Sequence, residues 1–186
     1  MFRLLRHGSV GIEEVRCTVS SPFAADSRPS TRMSLLLHVV GPTEGSPHTH
    51  TIILLHGRDS EAGEFALELF ECEATGLEAD RTLTALFPTI RWVFPQATAL
   101  RSERFATDMS QWFDIWALED LQERSELQVS GLWSSVDLVI KTIKDEELLV
   151  PRDRIFLGGI SQGFAMHVPA PLFQPIAQSL MKLHRS

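Results

Sequence analysis

The stretch Arg154-Ile155-Phe156-Leu157-Gly158-Gly159-Ile160-Ser161-Gln162-Gly163 decides how this chain is read. Arg154 to Gly158 is apolar, short and bounded by Pro151 on one side and glycines on the other, which predicts a buried strand. Gly159-Ile160-Ser161-Gln162-Gly163 follows at once and has the form G-x-S-x-G. That pattern places a serine on a sharp, strained strand-to-helix turn, where a side chain at either flanking glycine would crowd it. Residues from Gln162 onward read as the start of a helix, whose N-terminus favours developing negative charge. The turn lifts the Ser161 hydroxyl to the carboxyl edge of a sheet, the position of a nucleophile. A bare strand-to-helix turn with an incidental serine gives the same spacing, so the motif calls for support from elsewhere in the chain.

Working backward, Gly131 to Leu149 predicts a helix, with Leu132, Val136, Val139, Ile140 and Ile143 on one stripe and Ser130 as its cap. Arg91 to Phe94 predicts a strand ended by Pro95. A short helix is expected from Asp80 through Leu83, Leu86 and Phe87 to Pro88, and a longer one carries Ala62, Phe65, Ala66, Leu69 and Phe70, capped by Asp59 or Ser60. Thr51 to His56 is continuously apolar after its first residue, as in a strand buried on both faces. Leu35 to Val40 predicts the first strand. Residues 96–130 show no clear periodicity. The alternation of strand and helix predicts an α/β fold with a mainly parallel sheet and flanking helices.

Composition sets outer limits. The chain has 186 residues, 44% hydrophobic and 22% charged, which fits one globular domain. We expect residues 1–33 to form a loose arm, 34–168 a partial α/β domain and 169–186 a divergent tail. Seventeen basic against twenty-four acidic residues give a net charge of −7, which argues against nucleic-acid binding. No run approaches the roughly 20 apolar residues of a membrane span, so stable membrane insertion is not expected. The two cysteines, Cys17 and Cys72, make no disulfide framework and suggest a reducing, cytoplasmic setting. The N-terminal Met1 to Arg6 is too short in apolar residues for a secretory signal.

His56-Gly57 ends the second strand at the same sheet edge as Ser161. A loop there can aim backbone N–H groups at the oxygen of an attacked carbonyl, and the Arg58 and Gln162 amides are the natural pair. A core histidine beside a turn glycine reads equally from those two residues. His48, His50 and His56 have the even spacing of one strand face, but no fourth ligand is indicated and Pro47 intrudes, so no metal is expected. The acidic run Asp145-Glu146-Glu147 reads as solvated surface. No phosphate-binding glycine loop occurs, and no cofactor is expected.

Several landmarks stand together in order: Leu54-Leu55-His56-Gly57, Phe94-Pro95-Gln96-Ala97, Gln111-Trp112-Phe113-Asp114-Ile115, Gly131-Leu132, Pro151, Arg154-Ile155 and Leu157-Gly158-Gly159-Ile160-Ser161-Gln162-Gly163. In this the chain resembles the phospholipase/carboxylesterase family of α/β-hydrolases, which includes the acyl-protein thioesterases. The resemblance runs from about His50 to Met166, and the Arg101 to Glu126 loop is most like fungal members. It implies an α/β-hydrolase sheet and a serine nucleophile at Ser161 that forms an acyl-enzyme. It also implies oxyanion N–H groups from Arg58 and Gln162. The substrates it implies are carboxylic esters or thioesters: short esters, lysophospholipids or S-acylated proteins. Trp112 and Phe113 match residues near the acyl-binding region of the family; as plain residues they read equally as core aromatics under a long loop.

The pattern then breaks. Such a serine needs a histidine base and a carboxylate to orient it, in the order Ser, Asp or Glu, His. From Phe164 to Ser186 there is no Asp or Glu, and His167 and His184 are the only histidines. Family similarity stops after Met166, where Pro169, Pro171 and Pro175 interrupt what should be a long helix. Removing the histidine of such a triad costs about 10⁶ in turnover. The expectation is therefore a C-terminally truncated member, lacking the family's last strands, with an intact serine elbow and little activity. A catalytically inactive remnant that at most binds acyl groups is the alternative.

Overall fold

The computed structural model describes residues 37–73 and 81–166. The expected N-terminal arm and divergent tail lie outside these residues, as do Asp80, Cys17, His167 and His184.

Four strands form the main sheet. They are β1 (Leu37–Val40), β2 (His50–Leu55), β3 (Ile90–Pro95) and β6 (Ile155–Gly159), in the order β1-β3-β2-β6. β2 pairs in parallel with both β3 and β6, and β1 runs antiparallel along β3. β6 is an edge strand among the described residues. The predicted α/β class and mainly parallel sheet are therefore present.

β2 sits in the middle of this order, so its side chains feed two layers. Ile53 and Leu55 enter a core with Val93, Trp112, Phe113, Leu132 and Val139. Leu54 enters the opposite one with Phe65, Ala66, Leu69, Trp92 and Phe94. This two-sided burial explains why the strand reads as an apolar run without alternation. Helices α1 (Ala62–Glu71) and α2 (Leu83–Leu86) supply the second layer. Helix α3 (Gln128–Glu146) and the short α4 (Gln162–Ala165) supply the first. The chain thus leaves β2 toward one face and β6 toward the other. In open α/β sheets the crevice between two such adjacent exits is where ligands bind.

Several local expectations are corrected. The N-cap of α1 is Glu61, without a side-chain hydrogen bond. Neither Asp59 nor Ser60 caps the helix; the Ala62 amide donates instead to Gln96 Oε1 at 2.7 Å. Helix α3 begins at Gln128, so Ser130 lies inside it. Its stripe is buried at Leu132 and Val139, while Ile140 is exposed. Within 96–130 the structure adds a hairpin, β4 (Ala99–Ser102) paired with β5 (Thr107–Ser110). The acidic run is not wholly solvated. Glu146 is buried and accepts from Arg91 Nε at 3.0 Å and Thr51 Oγ1 at 3.1 Å. Cys72 is disulfide-bonded, against the expectation of a reduced thiol.

Candidate active site

Ser161 sits directly beyond β6 with φ 52° and ψ −120°, a backbone conformation that L side chains avoid. The glycines on either side make it possible. A Cβ on Gly159 would stand 2.6 Å from the Gly163 carbonyl carbon, and one on Gly163 would stand 2.5 Å from the His56 carbonyl oxygen. Register fixes the rest: Leu55 of β2 lies opposite Gly159, and the Ile160 amide donates to the Leu55 carbonyl at 3.0 Å. The elbow is thereby pinned to the end of β2, and Ser161 itself is exposed.

The exit of β2 faces this serine. An added Cβ on Gly57 would lie 3.6 Å from Ser161 Cβ. Among the described residues, neither the Arg58 amide nor the Gln162 amide donates to a backbone carbonyl. Arg58 keeps its side chain occupied elsewhere. Its guanidinium donates to Ser102 Oγ at 2.9 Å and to the Ile115 carbonyl at 3.4 Å, and lies 3.7 Å from Asp114 Oδ1. The Asp59 amide donates to the Ser110 carbonyl at 2.7 Å. The loop after β2 is therefore tied to the β4–β5 hairpin through Arg58 and Asp59.

His56 is fully buried. Its Nδ1–H donates to the Gly57 carbonyl at 2.7 Å, and its Nε2 accepts from the Ala97 amide at 3.0 Å. Only the neutral ring can make both bonds. Burial lowers its pKa below the ordinary histidine value, partly opposed by the Gly57 carbonyl and by Glu61. His48 Nε2 lies 3.0 Å from Thr51 Oγ1, and His50 Nδ1 lies 2.9 Å from Thr49 Oγ1, so each ring has its own partner.

Trp112 and Phe113 are buried in the core with exposures of 0% and 2%. The Gln162 side chain clamps onto them: its Oε1 accepts from the Trp112 amide at 2.9 Å and its Nε2 donates to the Phe113 carbonyl at 2.7 Å. Sequence reasoning missed this clamp, together with the Arg58 anchor and the Ser135 hydroxyl, which donates to the Trp112 carbonyl at 2.6 Å. The only signal was polar residues flanking the aromatic pair in Gln111-Trp112-Phe113-Asp114.

Among the described residues, Ser161 Oγ has no hydrogen-bond partner, and the histidines are His38, His48, His50 and His56. No helix among them is long and apolar enough to cross a membrane.

A sequence profile described as Phospholipase/Carboxylesterase matches residues 37–179. An acyl-protein thioesterase 1 of Cryptococcus neoformans is 32% identical over 132 residues, covering 69% of this chain and 50% of that protein. The acyl-protein thioesterase 1 of Schizosaccharomyces pombe is 29% identical over 130 residues, covering 69% and 51%. The chain thus spans about half the length of the curated relatives it matches. Among solved structures, acyl-protein thioesterase 2 of Zea mays aligns at 27% identity and a TM-score of 0.48, over 68% of this chain and 46% of that one.

Proposed function

This chain belongs to the phospholipase/carboxylesterase family, and from that membership we propose that it is a serine hydrolase of carboxylic esters or thioesters that works through an acyl-enzyme on Ser161. One observation carries the reading: Ser161 holds a positive φ between two sterically required glycines and faces the β2 exit. That arrangement suits a nucleophile. Ser161 Oγ bonds to the acyl carbon, the C–O or C–S bond to the leaving group breaks, and the proton from Oγ passes to the leaving alcohol or thiol. Water then hydrolyses the new ester. The Arg58 and Gln162 amides donate hydrogen bonds to the carbonyl oxygen as negative charge develops on it. The acyl chain lies near the Trp112–Phe113 segment. The substrate classes are those of the family: short esters, lysophospholipids or S-acylated proteins.

A second reading has its own observation. Nothing among the described residues stands ready to take the Ser161 proton. On that reading the chain holds acyl groups without turning them over. Hydrolysis of a p-nitrophenyl butyrate ester and of an acyl-thioester reporter separates the two. The enzyme reading predicts turnover that Ser161→Ala abolishes. Saturable binding of a fluorescent acyl chain, with no turnover in folded protein, overturns it in favour of the second.

A further inference from the structure

We infer that Trp112 is a positioning residue that sets the two oxyanion amides relative to one another. The inference rests on the proposed roles of the Arg58 and Gln162 amides.

Those amides belong to different loops, one after β2 and one after β6. An oxyanion hole stabilises charge only when both donors stand about 2.7–3.1 Å from one oxygen. A displacement of about 1 Å at a catalytic centre can cost on the order of 10²-fold in rate. The β2–β6 pairing and the Ile160–Leu55 bond fix the roots of the two loops, and Trp112 adds a bridge between the loops themselves. The Trp112 indole Nε1–H donates to the His56 carbonyl at 2.8 Å, two residues before Arg58. The Trp112 backbone amide donates to Gln162 Oε1 at 2.9 Å, on the residue whose own amide is the second donor. The Trp112 carbonyl is held in turn by Ser135 Oγ from α3. The indole also lies against the His56 ring, with centroids 5.1 Å apart. Every polar group of Trp112 is thus engaged, two of the three on the oxyanion loops. With no exposed surface, the indole does not reach solvent. Its chemistry suits this bridge: phenylalanine would fill most of the same core but has no N–H for His56.

The test compares wild type with Trp112→Phe, using two readouts. The first is the rate of fluorophosphonate adduct formation on Ser161, followed by intact mass at several probe concentrations. We expect the limiting rate to fall about ten- to hundredfold, with the half-saturating concentration unchanged. General loosening of the fold would not produce that split. The second readout needs no reactivity: the ¹⁵N–¹H resonances of the Arg58 and Gln162 amides should both shift, while those of β1 and β3 stay in place. Unshifted Arg58 and Gln162 resonances in folded Trp112→Phe protein overturn the inference, as does an unchanged adduct rate. If wild type forms no adduct, the hydrolase reading fails and the resonances alone decide the role of Trp112. Should Trp112→Phe not fold, Ser135→Ala releases only the carbonyl. It is expected to move the same two resonances by less, and their immobility would refute the bridge.

Discussion

Gly163 lies so close to the end of β2 that a Cβ there would stand 2.5 Å from the His56 carbonyl oxygen. That carbonyl also accepts from the Trp112 indole, so it has little freedom to retreat. Gly163→Ala should therefore cost at least the roughly 3 kcal/mol at the upper end for overpacked interiors. Urea denaturation measures it directly. A loss under about 1 kcal/mol would show that the elbow can open without effect on the sheet.

Ser161 pays for its position in backbone strain, which glycine would not carry. Relief of a disfavoured φ/ψ gives back on the order of 1–3 kcal/mol. The extra freedom of glycine in the unfolded chain removes about 0.4–1 of that. Ser161→Gly is predicted to raise the urea midpoint while abolishing any reaction at this position. A lowered midpoint would mean that the serine conformation is not strained.

The ion pair between Arg91 and Glu146 joins β3 to the end of α3, and Thr51 of β2 donates to the same carboxylate. Glu146 is 4% exposed, while the Arg91 side chain keeps 26% of its surface in water. Breaking a fully buried pair costs about 3–5 kcal/mol, and the partly hydrated Arg91 should reduce this to about 2–3 for Glu146→Ala. Denaturant titration should show this loss; a change under about 0.5 kcal/mol would place Glu146 among ordinary surface carboxylates.

His56 gives the fold a pH dependence of definite sign. Its folded pKa is depressed below 6.5, chiefly by burial, so the unfolded state binds the proton first. Its stabilising contribution is complete above about pH 6.5 and is lost as pH falls from there through the folded pKa. The charged ring can no longer accept from the Ala97 amide. Denaturation midpoints between pH 7.5 and 5 should fall less steeply in His56→Gln than in wild type. Equal slopes would show that His56 does not titrate in this way.

How far the fold could be read from the chain depended on burial. β2 was visible because its side chains are apolar and buried on both faces. β6 was visible from its apolar run alone: against the expectation of a buried strand, none of its residues is buried and Phe156 is 53% exposed. Gly159 and Gly163 marked the elbow because no other residue fits there. The hairpin was invisible because Ala99–Ser102 and Thr107–Ser110 are mostly polar and none of their apolar residues is buried, so pairing rather than an apolar stripe marks the strands. The start of α3 was misplaced because Ser130 resembles a cap and Gly131 resembles a boundary. Gly131 is inside the helix because the Phe113 backbone packs against it, and a Cβ would meet Phe113 Cα at 2.9 Å. Ser161, Arg58 and Gln162 were legible as site candidates from motif position. The Gln162 clamp was not, because it joins residues 50 apart and leaves no local spacing behind. Glu146 was misread for the same reason: its partner Arg91 lies 55 residues away.

Everything proposed for this site depends on Ser161 being a nucleophile. The most direct test is intact mass of the folded chain after incubation with a fluorophosphonate, beside Ser161→Ala. A single adduct is expected on the wild-type chain and none on the variant. No adduct on folded wild-type protein, or an equal adduct on both, would contradict it.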